Sequence, residues 1–242
     1  MRRYYLPWEL PAAVVLAPIL AVQARDARRR AVSLDEPPGP REGARGDGAP
    51  LRLLILGDSS AAGVGVAHQD EALSGRLVHY LSRHHRVDWR LIARTGAVSR
   101  DVLGWLETEP PTPQDWVVIG LGLNDVTRGV PLRRWMARQR AIAETLRTRW
   151  GHPRIVWTGL PPVRRFPLLP QPLRRLVGLR AERFDAVRTH WVARSPDLHN
   201  LPFEGDLDPA MMAPDGYHPG PVIYDRWADL AARLILSQSA AR

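Results

Sequence analysis

Leu51, Leu53, Leu54, Ile55 and Leu56 form an apolar run broken only by Arg52, and the run stops at Gly57-Asp58. A strand that is apolar on both faces must be covered on both, which is how a parallel strand inside a layered α/β sheet reads. Shorter stretches of the same kind predict strands at 89–93, 116–121 and 155–158, with a brief one at 198–201. Helical spacing lies between them. Leu73, Leu77, Tyr80 and Leu81 share one face, and so do Leu132, Trp135, Met136, Gln139, Ile142, Ala143, Leu146 and Trp150. Pro131 is expected as the first residue of that second helix, where a missing N–H costs nothing. A proline-rich loop at 161–172 leads into a helix over much of 173–193, and a last helix covers about 222–236. Strands alternating with helices imply a three-layer α/β/α sandwich with a mostly parallel central sheet. In such sheets ligands bind beyond the carboxyl ends of the strands, so the polar residues there are the candidates for function.

Residues 51–242 are long enough for one domain that buries roughly 70% of its unfolded surface. The chain has no cysteine, which excludes disulfides, thiolate nucleophiles and Cys-ligated zinc. Its net charge is +9, carried entirely by arginine. An anionic partner would explain that excess. The arginines are nevertheless spread along the chain with acidic neighbours, and no nucleic-acid motif accompanies them. Nucleic acid is therefore not expected as a partner, while an anionic membrane surface met through the N-terminus stays a candidate.

The first thirty residues read as a membrane anchor or signal segment. An apolar stretch over 10–22 follows Arg2-Arg3 and precedes Arg25 and Arg28-Arg29-Arg30. As a helix it reaches only about 20 Å, short of the roughly 30 Å hydrocarbon core. Val22-Gln23-Ala24 resembles a cleavage site, which would make the protein secreted or periplasmic. The arginines just downstream disfavour export, so the expectation is an uncleaved anchor and a membrane-associated protein. Residues 31–50, with Pro37-Pro38-Gly39-Pro40 and three further glycines, read as a flexible linker.

Three strand ends and one late turn carry residues able to do chemistry. Gly57-Asp58-Ser59-Ser60 puts a serine on a strand-to-helix turn, with its hydroxyl in the crevice and backbone N–H groups nearby. The same residues could merely cap a helix, and chemistry alone does not choose between Ser59 and Ser60. Asp58 reads as a turn-stabilising residue. Gly96, after Arg94-Thr95, allows close backbone approach to a ligand. Gly120-Leu121-Gly122 faintly resembles a dinucleotide loop, but Asp125 stands at the third glycine position and no ribose-binding acid follows. Asn124 offers an amide donor to developing negative charge. Asp215 and His218, three apart on a turn, can meet, so that the carboxylate holds one ring nitrogen and frees the other as a base. His68, His79, His84 and His85 lack carboxylate or cysteine partners, so no metal is expected. Met211-Met212 could line a pocket or fill a gap.

Taken in chain order, these blocks resemble the SGNH, or GDSL-like, hydrolase family. Gly57-Asp58-Ser59-Ser60 matches its first block, with Ser in place of the final Leu. Gly96 falls where the second-block glycine is expected. Gly122-Leu123-Asn124-Asp125 matches the third block and Asp215-Gly216-Tyr217-His218 the fifth. The resemblance covers about residues 51–237 and implies a flavodoxin-like SGNH hydrolase fold. It also implies a serine hydrolase acting on small-molecule carboxylic esters (lipid, aryl or acetyl) through an acyl-enzyme, without cofactor. Ser59 would be the nucleophile, His218 the base and Asp215 its orienter. The Ser59 and Gly96 N–H groups and the Asn124 side chain would form the oxyanion hole. Acyl transfer by the same triad, or a non-catalytic lipid- or glycan-binding protein of this fold, are the alternatives.

Overall fold

The computed structural model describes residues 15–30, 32–203 and 208–239. Six strands form one sheet: β1 (Glu42–Arg45), β2 (Ala49–Gly57), β3 (His85–Ala93), β4 (Trp116–Gly120), β5 (Arg154–Thr158) and β6 (Leu198–Leu201). Their order is β1-β3-β2-β4-β5-β6, all parallel except β1, which runs antiparallel to β3. The helices are α1 (Ala17–Arg30), α2 (Ser59–Ala62), α3 (Leu73–Leu81), α4 (Ser99–Thr108), α5 (Leu123–Thr127), α6 (Leu132–Arg149), α7 (Leu173–Val192) and α8 (Pro221–Ser239).

The apolar run that opens the domain becomes β2, and its side chains serve both faces. Leu51, Leu53 and Ile55 pack with Leu73 and Leu77 of α3 and Ala228, Ala231 and Ile235 of α8. Leu54 and Leu56 face the opposite way, toward Val102 and Leu106 of α4, Ile142 and Leu146 of α6, and Val192 of α7. Arg52, the exception in the run, is exposed where the strand enters the sheet and forms a two-pronged ion pair with Asp115 at 2.8 and 3.2 Å. The three-layer α/β/α architecture is the expected one. Leaving β1 aside, the parallel strands follow the flavodoxin-like doubly wound order, whose switch point lies between β2 and β4.

The linker expected over 31–50 is corrected by the structure. Residues 42–45 pair with β3, β2 begins at Ala49, and the Pro37 and Pro38 carbonyls accept from the Gln69 side chain and backbone. Proline and glycine shape an edge strand and its turns here, because that edge offers unpaired backbone groups which composition alone does not reveal. Helix α4 was not signalled, since Val98 at its start supplies no side-chain cap and its apolar face is short. Pro131 stands just before α6 rather than as its first residue, and β3 begins at His85, before the expected residue 89. Residues 1–14 of the expected anchor or signal segment lie outside the described residues. Among the described residues no helix is long and apolar enough to cross a membrane.

Candidate active site

Gly57 ends β2 because nothing larger fits. A Cβ there would come within 2.1 Å of the Gly120 carbonyl on the neighbouring strand. The chain then turns at Asp58, whose Oδ1 accepts from the Ser60 N–H at 3.1 Å and caps α2. That turn leaves Ser59 as the first residue of α2, just beyond the switch point and only 7% exposed.

Some 150 residues later, a tight loop precedes α8. Ala213 N–H donates to the His218 carbonyl at 2.9 Å, and Gly216 adopts φ +62° within the loop. Asp215 Oδ1 accepts from the backbone N–H of Tyr217 and His218 at 2.9 and 3.0 Å, while Oδ2 lies 2.5 Å from His218 Nδ1. Burial pushes the Asp215 carboxyl up, but the bonds from the His218 ring and the two backbone donors outweigh it and hold it below the usual value. The carboxylate is therefore an acceptor only, so Nδ1 carries the ring proton and Nε2 presents a lone pair. Ser59 Oγ sits 2.9 Å from that Nε2. Ser59, His218 and Asp215, proposed from separate blocks, thus form one hydrogen-bonded chain.

Asn124 and Gly96 flank this chain. Asn124, on α5 after β4, donates from Nδ2 to the Ala97 carbonyl at 3.1 Å and lies 3.5 Å from Asp58 Oδ2. Gly96 follows β3 with φ +78°, a conformation that favours glycine, and its carbonyl accepts from Arg128 at 2.7 Å. In the β2–β3 register Gly57 pairs with Ala93, so Ser59 and Gly96 stand just past the ends of adjacent strands. Neither Ser59 N–H nor Gly96 N–H has an acceptor among the described residues. Asp58 caps the turn as expected, and it is also an unusual acid. Burial, with the Asp125 charge adding, pushes its carboxyl up to about 7 against the pull of the Ser60 N–H and His218.

A cavity opens beside Asp58 and Ser60 and runs past the ends of β4, β5 and β6, walled by Leu121, Leu160, Phe166, Phe203, Ile223 and Trp227. Met211 and Met212 line it, as does Pro161 from the proline-rich loop. Trp227 carried no sequence signal, although Ile223, Trp227 and Leu230 follow helical spacing that could have marked one face of α8. Glu36 and Arg41, in the supposed linker, also reach the Gly96 turn and were missed. Among the described residues no group of three His, Asp or Glu side chains is gathered to hold a metal ion.

A flavodoxin-like sheet with a serine–histidine–aspartate chain at its switch point is an α/β protein with the constellation of a serine hydrolase. The chain belongs to the GDSL-like lipase/acylhydrolase family, whose profile matches residues 55–226. It is 30% identical over 191 residues to a GDSL-like esterase of Mycobacterium tuberculosis, an alignment that covers 74% of this chain and 60% of that protein. The chain thus spans less than two thirds of that relative's length. The psychrotrophic esterase EstA from Pseudoalteromonas sp. superimposes with a TM-score of 0.57 at 20% identity, covering 78% of this chain and 98% of that one. A carbohydrate esterase family 2 enzyme from Corynascus thermopiles gives a TM-score of 0.62 at 15% identity, covering 83% and 68%. At these identities the likeness to both solved structures is one of fold.

Proposed function

We propose that the protein hydrolyses carboxylic esters through an acyl-enzyme on Ser59. The observation that carries this reading is the unbroken chain from Ser59 Oγ to His218 Nε2 and from His218 Nδ1 to Asp215. As Oγ attacks the acyl carbonyl carbon, its proton passes to Nε2 and the carbonyl oxygen becomes an oxyanion. The intermediate collapses, the ester C–O bond breaks, and the leaving alkoxide takes the proton from His218. Water then gives a proton to His218 and attacks the acyl carbon. The carboxylic acid departs as Ser59 regains its hydrogen. Asp215 stays ionised throughout and supports the imidazolium.

The oxyanion is received by the N–H groups of Ser59 and Gly96 and by the Asn124 amide, whose weak 3.5 Å approach to Asp58 is the bond it would exchange. The adjoining cavity favours an ester with an apolar acyl group, because most of its walls are aliphatic, aromatic or thioether side chains, with Asp58, Ser60, Thr158 and Arg226 the polar exceptions. The relative from Mycobacterium tuberculosis is named an esterase, and the Pseudoalteromonas esterase is described as inhibited by monoethylphosphonate.

Ser59→Ala is expected to abolish hydrolysis of a short-chain aryl ester, with a loss in turnover of up to about 10⁶-fold. A fluorophosphonate should label the parent protein and leave the variant unlabelled. Ester turnover that survives the substitution would sink the mechanism.

A further inference from the structure

We propose that Glu36, held by Arg41 on the arm that precedes β2, is a positioning residue for this reaction: it pins the Thr95 peptide and thereby aims the Gly96 N–H at the oxyanion. The inference rests on the ester-hydrolase reading and adds to it a residue from outside the family-matched span, which begins at residue 55.

The geometry has three parts. First, Glu36 Oε1 accepts from the Thr95 backbone N–H at 2.6 Å and from Thr95 Oγ1 at 2.9 Å. Second, Glu36 is itself fixed. Its Oε2 pairs with Arg41 Nη1 at 2.8 Å, the other Arg41 nitrogen donates to the Ala93 carbonyl at the end of β3, and the Arg41 carbonyl accepts from Leu91 N–H at 2.7 Å. Third, the far side of the turn is held by Arg128, which donates to the Gly96 carbonyl at 2.7 Å. The peptides before Thr95 and after Gly96 are therefore both anchored. The peptide between them, which carries the Gly96 N–H, is the one left without an acceptor among the described residues.

Packing does not do this job. Thr95 is exposed and Gly96 partly so, and a glycine, which takes either sign of φ freely, does not hold its own φ of +78° by sterics. Bonds to a charged carboxylate are the stronger kind and suit an exposed turn. Burial pushes the Glu36 carboxyl up, but the Thr95 donors and Arg41 outweigh it and hold it below its ordinary value, so the carboxylate is charged through the neutral range. Oxyanion donors act only when preorganised, and a displacement of about 1 Å in such a group can cost on the order of 10²-fold.

The test is steady-state kinetics on the full chain with a short-chain aryl ester, alongside thermal denaturation. Glu36→Ala is expected to lower kcat about 10- to 100-fold while KM stays within about twofold, the mark of an interaction made in the transition state. Glu36→Gln, which keeps an acceptor for Thr95, is expected to restore kcat to within roughly threefold of the parent. Unchanged kcat in a folded Glu36→Ala protein overturns the inference. So does a folded Glu36→Gln protein whose kcat falls more than about tenfold below that of the parent, a comparison that still decides if Glu36→Ala does not fold. If Ser59→Ala is inert while Glu36→Ala is fully active, the positioning role alone fails. Hydrolysis that survives Ser59→Ala removes both.

Discussion

Asp58 carries two demands that pull against each other. Its carboxyl must cap α2 beneath the nucleophile, and it must do so at 5% exposure beside Asp125. Unfolded, such a side chain ionises near the ordinary aspartate value of 3.8; folded, it is pushed up to about 7. Below about pH 4 both states hold the proton. Between about 4 and 7 the unfolded state ionises first, so the stabilisation from the buried neutral acid is lost as pH rises through that window. Asp215 works in the opposite sense, because its lowered value contributes stability that disappears only as pH falls through the acid range below about 4. Thermal denaturation at pH 5 and pH 8 separates the two. Asp58→Asn keeps an oxygen for the Ser60 N–H, and it is expected to shrink the fall in Tm between those pH values. An unchanged fall would mean that Asp58 ionises like an exposed acid. The cap itself was readable from Asp58 preceding Ser59-Ser60, whereas the shifted titration depends on what later parts of the chain lay over it.

At the scale of elements, α8 does more than close the sheet. Ile223, Trp227 and Leu230 lie along one side of the helix and wall the cavity beyond the strand ends. Trp227 can lie there only because β4 ends in glycine. A Cβ on Gly120 would stand 2.9 Å from Trp227 Cη2 and 3.1 Å from Cζ2. Gly120→Ala is accordingly expected to cost about 1–3 kcal/mol through overpacking, read from urea denaturation. Trp227→Ala, with Gly120 retained, should enlarge the cavity and move the preferred acyl chain of the proposed reaction to greater length. A chain-length series that peaks at the same ester in both proteins would place the acyl group elsewhere. The helix was legible from its spacing. Its role was not, since a tryptophan in the second turn of the helix says nothing about a glycine a hundred residues away.

Across the whole molecule, Arg188 shows how an arginine-rich chain spends one of its charges inside. It lies on α7 with 0% exposure, between Trp135 and Trp157, each ring 5.6 Å from its guanidinium carbon. It donates to the Thr158 carbonyl at 2.5 Å, the Leu121 carbonyl at 3.4 Å and Asp185 Oδ1 at 2.7 Å. The ends of β4 and β5, which form one wall of the cavity, are thereby tied to α7 and to each other. Burial pulls the guanidinium's pKa down and Asp185 opposes it. Arg188→Ala would leave Asp185 with the Leu160 N–H but without its cation, and is expected to cost about 3–5 kcal/mol. The urea midpoint should fall at an unchanged slope. A midpoint that stays put would mean that the guanidinium's bonds merely replace those it makes with water.

By itself the sequence determined the layered α/β class, because short apolar runs such as Leu53–Leu56, alternating along the chain with stretches of helical spacing, read as strands covered on both faces. It also determined which residues could meet at the strand ends, since Asp58-Ser59 and Asp215-His218 each sit in a short block whose local turn sets the geometry. Only the tertiary structure decided that these blocks converge, and that the Pro/Gly-rich arm at 36–45 belongs to the domain instead of tethering it. Glu36 meets Thr95, and Gly120 meets Trp227, across long stretches of chain. Such contacts depend on strand order and on the packing of helices against the sheet, and no local periodicity or composition encodes them.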